Sequence, residues 1–171
     1  MSSTTAPDEL TVWFPTPVEF AGATWTQLRL REPTVREVKR LRGKGATEGT
    51  IGLIFDVSGA PIPVIEQLPL SVLRKARNYL QAMCRDVTAP DPLPQELVIT
   101  LRKPVVHEED TLFVLDLREP LIGAYKRTDG KQGLDIAVAL IAAVTGAPES
   151  AVEEIGIRDF KAAEAYLLPF L

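Results

Sequence analysis

Two six-residue stretches decide the architecture: Leu28-Arg29-Leu30-Arg31-Glu32-Pro33 and Leu115-Asp116-Leu117-Arg118-Glu119-Pro120. They stand 120 − 33 = 87 positions apart. At that offset Pro17-Val18 falls on Pro104-Val105, Lys39-Arg40 on Lys126-Arg127 and Gly43-Lys44 on Gly130-Lys131. Val57-Ser58-Gly59-Ala60-Pro61 falls on Val144-Thr145-Gly146-Ala147-Pro148, and Tyr79-Leu80 on Tyr166-Leu167. Residues 17–80 and 104–167 align without a gap, with 22 identities in 64 positions. A set of matches at one offset is the mark of a tandem duplication.

Each copy follows the same local rules. Residues 11–20 are rich in β-branched and aromatic residues, Ala21-Gly22-Ala23 supplies a turn, and residues 24–31 alternate as a half-buried strand does. The spacing predicts a β-hairpin there and a second over 97–107 and 111–118, turning at Glu108-Glu109-Asp110. Whether the hairpins share one sheet or stay apart is open at this level. Pro33 and Pro120 cannot donate to a ladder and end the second strands. Thr34 with Glu37 reads as a capping box for a helix over 34–41, and copy two has Leu121 and Ala124 instead.

A second helix is expected over 48–58 and 134–145, the latter apolar nearly all round. Gly59 and Gly146 stand where a left-handed C-terminal cap is wanted, and Pro61 and Pro148 open a short helical turn. A final helix covers 70–85 and 157–168. The expected class is α+β, two tandem copies of a β-hairpin followed by a small helical bundle. Residues 1–10 are read as a disordered lead-in, 11–87 as copy one, 88–95 as a proline-rich connector and 96–171 as copy two.

Composition narrows the function classes. The chain has 171 residues, 46% apolar and 25% charged, with a net charge of −4. Copy one with its lead-in (1–87) carries 11 cations and 9 anions, giving +2; residues 88–171 carry 8 and 14, giving −6. No apolar run reaches the length of a membrane span, and no signal peptide is apparent, so a cytoplasmic protein without a membrane partner is expected. Cys84 and His107 are each the sole residue of their type, which precludes an intrachain disulfide or a thiolate metal cage. No glycine-rich phosphate loop, nucleophile elbow or metalloprotease helix occurs. The expectation is a protein that is not an enzyme, with no catalytic, cofactor-binding or metal-binding residues.

The order of features resembles the tail assembly chaperones of contractile-tailed bacteriophages, the protein E type of Mu-like phages and their relatives. The likeness rests on Leu101-Arg102-Lys103-Pro104, residues 115–120, residues 144–148 and Arg158-Asp159-Phe160. Copy one matches with Thr16-Pro17, residues 28–33 and 57–61, but carries Ser71-Val72-Leu73 where copy two has Arg158-Asp159-Phe160. The resemblance implies one unit per chain, so the duplication is a departure. In many phages, frameshifting yields short and extended chaperones that together coat the tape-measure protein before the tube polymerises around it. The implied function is therefore a cytoplasmic assembly factor of the infected or lysogenic cell, absent from the mature virion. The tape-measure protein is the implied partner, with the tail tube protein and a second copy of the chain as further candidates. A structural component retained in the virion and a nucleic-acid-binding regulator are the rival readings.

The partner-binding candidates are cations. Arg31 and Arg118 close the repeated motif, either as strand-end ion pairs or as grips on a partner. Arg36, Lys39 and Arg40 share a face if the first helix forms, and Lys126 and Arg127 are their counterparts. Such a cluster suits a solvated face or an acidic partner, the acidic second copy included, better than nucleic acid, which needs a broader basic surface. Leu28, Leu30, Glu32, Pro33, Gly59 and Pro61, with Leu115, Leu117, Glu119, Pro120, Gly146 and Pro148, define the repeat structurally. Trp13, Phe14 and Trp25 are expected mainly to fill core, Cys84 to be a boundary residue, and His107 with its acidic neighbours to form a polar hairpin tip.

Overall fold

The computed structural model describes residues 7–171. The first six positions of the expected lead-in lie outside the described residues. The fold is α+β, a hairpin followed by helices, twice. The first copy runs β1 (Glu9–Phe20), β2 (Ala23–Arg31), α1 (Val35–Lys39), α2 (Ala46–Ser58), α3 (Ile62–Glu66) and α4 (Leu70–Met83). The second runs β3 (Glu96–His107), β4 (Asp110–Arg118), α5 (Ile122–Tyr125), a 3₁₀ turn (Lys126–Thr128), α6 (Leu134–Thr145), α7 (Glu149–Glu153), α8 (Ile157–Leu167) and a last 3₁₀ turn (Leu168–Phe170).

Each hairpin forms its own two-stranded antiparallel sheet. The registers are the same at the 87-residue offset: Leu10 pairs with Leu30 and Val12 with Leu28, as Leu97 pairs with Leu117 and Ile99 with Leu115. Between Trp13 and Val18 the first strand advances five residues while its partner goes from Gln27 to Trp25, two residues. The same irregularity falls between Thr100 and Val105. Pro15, Pro17 and Pro104 lie in these interruptions, where a residue without an N–H costs no ladder bond. Ala21 and Gly22 both have positive φ, at 49° and 79°, in the two-residue turn of the first hairpin.

The repeated Ser/Thr-Gly-Ala-Pro motif is a helix stop. Gly59 (φ 68°) donates its N–H to the Phe55 carbonyl, and Gly146 (φ 78°) to that of Ala142. Ser58 Oγ donates to the Ile54 carbonyl and accepts the Ala60 N–H; Thr145 Oγ1 does the same with Ile141 and Ala147. Pro61 and Pro148 then turn the chain into α3 and α7.

The first helix is shorter than its sequence suggests. It ends at Lys39, and residues 41–44 continue as turns, with Leu41, Arg42 and Lys44 each donating to the carbonyl three residues back. In copy two only four α-helical residues form. There the Thr128 hydroxyl takes the Tyr125 carbonyl at 2.7 Å, competing with helical continuation. The expected helix over 70–85 likewise stops at Met83, with Cys84 as its cap.

The chain divides into two compact units. Among the described residues, one comprises 7–33 and 37–84, and its core gathers Leu28, Leu30, Ile54, Val64, Ala76 and Leu80. Tyr79 on α4 fastens the start of this unit, its hydroxyl lying 3.1 and 2.9 Å from the Pro7 and Asp8 carbonyls. The other comprises residues 34–36 and 85–171, with Leu115, Leu117, Ile141, Val152, Phe160 and Tyr166 buried. Tyr166 repeats the fastening on the Pro94 and Gln95 carbonyls at 3.1 and 2.9 Å.

Candidate functional site

Arg31 leaves the end of β2 and is held by its own unit. Its guanidinium donates to both oxygens of Glu37 at 2.6 and 3.0 Å, to the Glu32 carbonyl at 3.0 Å and to the Asp56 carbonyl at 3.1 Å. A charge so occupied ties strand to helices. At the matching place in copy two, Glu37 is replaced by Ala124, and Arg118 makes no hydrogen bond or ion pair among the described residues. It lies exposed in a shallow cleft of about 420 Å³ lined also by residues 93–96, Glu119 and Phe170. One repeated arginine is structural cement and the other is free.

The three cations of the first basic cluster do not act together. Arg36 belongs to the second unit, where its Nε lies 3.4 Å from Glu153, its Nη2 donates to the Ser150 carbonyl at 3.3 Å, and Glu154 pairs with its Nη1. Lys39 is half-buried at the end of α1, and Arg40 is exposed beyond it. Lys126 and Arg127 are exposed on the 3₁₀ turn after α5. Arg36 is thus matched to acidic residues of this chain, while Arg40, Arg118, Lys126 and Arg127 face solvent.

Residues 34–36 are seated on the junction between α7 and α8. Thr34 bridges antiparallel to Gly156, and the Val35 N–H donates to the Ile155 carbonyl at 3.1 Å. Val35 is fully buried there. No short-range pattern marks this placement, since Val35 and Ile155 are 120 residues apart.

Trp13 corrects the expectation of core filling: it is 67% exposed. Strand alternation explains it, because Val12 takes the inward position and its neighbour must point away. Phe14 and Trp25 are half-buried. On the second hairpin Val98, Val106, Phe113 and Val114 are exposed as well. Outward apolar side chains on both hairpins are more than two solvated strands need. Beside β2, residues 24–29 with Ser58 and Ala60 line a second shallow cleft of about 280 Å³.

The remaining polar features serve the fold. His107 Nε2 shares a hydrogen bond of 2.6 Å with Ser150 Oγ. Asp159, buried at the start of α8, accepts the Arg102 N–H at 2.8 Å. Burial works to lower the Lys161 pKa, but hydrogen bonds to Glu164 and Asp86 outweigh it and leave the ammonium raised above its ordinary value. Among the described residues no group of three or more His, Cys, Asp or Glu side chains is placed to hold a metal ion, and no helix is long and apolar enough to cross a membrane.

A family model described as phage tail assembly chaperone proteins, E, or 41 or 14, matches residues 11–85 and again residues 98–171. The chain belongs to this family. The two matches begin 98 − 11 = 87 residues apart, so the chaperone carries the family's unit twice at the offset of its internal repeat. No curated protein and no solved structure matches the chain. Membership makes the chaperone a protein of phage tail assembly that works on other proteins.

Proposed function

We propose that this chaperone binds the tape-measure protein of its phage and keeps it soluble before the tail tube polymerises around it. The observation that carries the reading is the apolar surface left outward on the hairpins, with Trp13 on the first and Val98 and Val114 on the second. An elongated helical client exposes a repeating apolar stripe, and covering that stripe removes the surface through which such chains aggregate. Two hairpins on one chain supply two linked contacts, and linkage raises the effective concentration for the second. Exposed Arg40, Arg118, Lys126 and Arg127 give the client's acidic side chains cations to approach.

In this reading the protein acts in the host cytoplasm without chemistry and leaves before the virion is complete. The tail tube protein is a second candidate partner in the same assembly step. Co-expression tests the proposal. The tape-measure protein should be soluble and co-purify with the wild-type chaperone. With Trp13→Ser, Val98→Ser and Val114→Ser combined it should return to the insoluble fraction. A client that stays insoluble with the wild type, or is equally soluble with the triple variant, overturns the assignment. Detection of the chain in purified particles by mass spectrometry overturns its departure and favours a retained tail component.

A further inference from the structure

The seat of residues 34–36 on the α7–α8 junction is made once in a chain that has the parts for it twice. At the 87-residue offset, Thr34-Val35-Arg36 corresponds to Leu121-Ile122-Gly123, and Ile155-Gly156-Ile157 to Leu68-Pro69-Leu70. In the occupied pair Val35 and Ile157 are both 0% exposed. In the vacant pair Ile122 is 79% exposed and Leu70 is 77% exposed, with Leu121 as open as Leu70. A plug without a socket and a socket without a plug remain on the same molecule.

We propose that the vacant pair is filled between chains. The segment 121–123 of one chaperone seats on residues 68–70, at the α3–α4 junction, of a second copy, as residues 34–36 seat on residues 155–157 within each chain. Backbone chemistry permits it. The hydrogen bond that holds the plug is accepted by the Ile155 carbonyl, and its counterpart Leu68 offers the same carbonyl. Pro69 in place of Gly156 therefore removes no group that this bond uses. Side-chain chemistry sets the strength. Gly123 replaces Arg36 and Gln67 replaces Glu154, so the intermolecular contact lacks the ion pairs of the internal one and rests on apolar burial. Such a contact is weaker, reversible and dependent on concentration.

Because plug and socket are different surfaces, the contact is heterologous: each added chain presents a new free plug and a new free socket. Head-to-tail association of this kind closes into a ring, the smallest being two chains that exchange plugs, or continues as a filament. The inference does not depend on the identity of the client.

Sedimentation velocity on the full chain tests it. The wild type should show a mass that climbs above the monomer as concentration rises. Ile122→Asp and Leu70→Asp, each at an exposed position, should be monomeric at every concentration. Mixed together, they should form a one-to-one pair and go no further, because one intact plug meets one intact socket. Circular dichroism checks that each is folded, and Leu121→Asp replaces Ile122→Asp should the latter fail to fold. A wild type that stays monomeric overturns the proposal. So does a Leu70→Asp variant that associates like the wild type, or a mixture that remains monomeric.

Discussion

The Arg102 N–H donates to Oδ2 of Asp159 at 2.8 Å, and the matching positions of copy one hold Pro15 and Val72. Arg102 sits in the interrupted stretch of β3, where the neighbouring strand does not take its N–H. A carboxylate at the start of α8 takes it instead. Proline has no N–H, so copy one needs no acceptor and fills the place with an apolar side chain, which is buried. Two residues 57 positions apart have diverged together for one hydrogen bond.

Asp159→Val should therefore destabilise the second unit by about 1–3 kcal/mol, the range for stranding a buried donor. Introduced with Arg102→Pro, the same change should cost far less, because the double variant restores the pair that copy one uses. Chemical denaturation of the four members of the cycle checks this. Equal losses from Asp159→Val in both backgrounds would show that the carboxylate's other contacts, not the Arg102 N–H, set its value.

Ala124→Glu should rebuild in copy two the ion pair that Arg31 and Glu37 make in copy one. Arg118 is already at the matching strand end and is unpaired among the described residues. The gain should be small, up to about 1 kcal/mol, since a half-exposed pair is screened by solvent and must order two long side chains. Removing Glu37 by alanine should cost more than that gain. Its partner Arg31 would keep the Glu32 and Asp56 carbonyls but lose the two-point grip on the carboxylate. Thermal melts of the two single variants give the comparison.

What the sequence discloses and what it hides divide along sequence separation. The Gly59 and Gly146 caps and the proline-started turns of α3 and α7 were legible because each rests on residues within four positions of one another, and the hairpins because alternation within each strand and a short turn between them are local signals. The repeat doubled that evidence by allowing each rule to be read at two places. Trp13 was not legible, because alternation tells which residues share a face but not which face meets the helices. The seat of Val35 against Ile155 was hidden for a stronger reason: nothing in residues 34–36 distinguishes a segment packed on its own copy's helices from one packed elsewhere. Arg31 and Arg118, identical in local motif, part company only because Glu37 became Ala124. That difference is visible in sequence, but it gains meaning only once the strand end is seen to face the helix.

Tyr79→Phe and Tyr166→Phe should each cost about 0.5–1.5 kcal/mol, the net value of one hydrogen bond. Each hydroxyl is the fastening between a helix and the chain that leads into the first strand of its hairpin. The Tyr79→Phe variant should also speed amide exchange at Glu9 and Leu10, next to the released Pro7 and Asp8 carbonyls. The Tyr166→Phe variant should do so at Glu96 and Leu97. Hydrogen-exchange mass spectrometry separates the two. Unchanged exchange at both strand starts would mean that the strand pairing, and not the tyrosine, holds those segments.

Alkaline pH should weaken the second unit through two groups that keep their protons longer when folded. Tyr166 is raised above its ordinary 10.0 first by burial and then by the charges of Glu96 and Glu119. Lys161 is raised above 10.5 because its hydrogen bonds to Glu164 and Asp86 outweigh the opposing effect of burial. For both, the unfolded chain releases its proton first, so their contribution is complete below pH 10.0 and is lost as pH rises through the folded values. Stability followed by denaturant titration from pH 9 upward, in about half-unit steps, should fall with a steepening slope. Tyr166→Phe should remove one part of that slope, and Lys161→Met the other, each at the cost of a lower plateau near neutrality. A slope that survives both substitutions would place the alkaline sensitivity elsewhere.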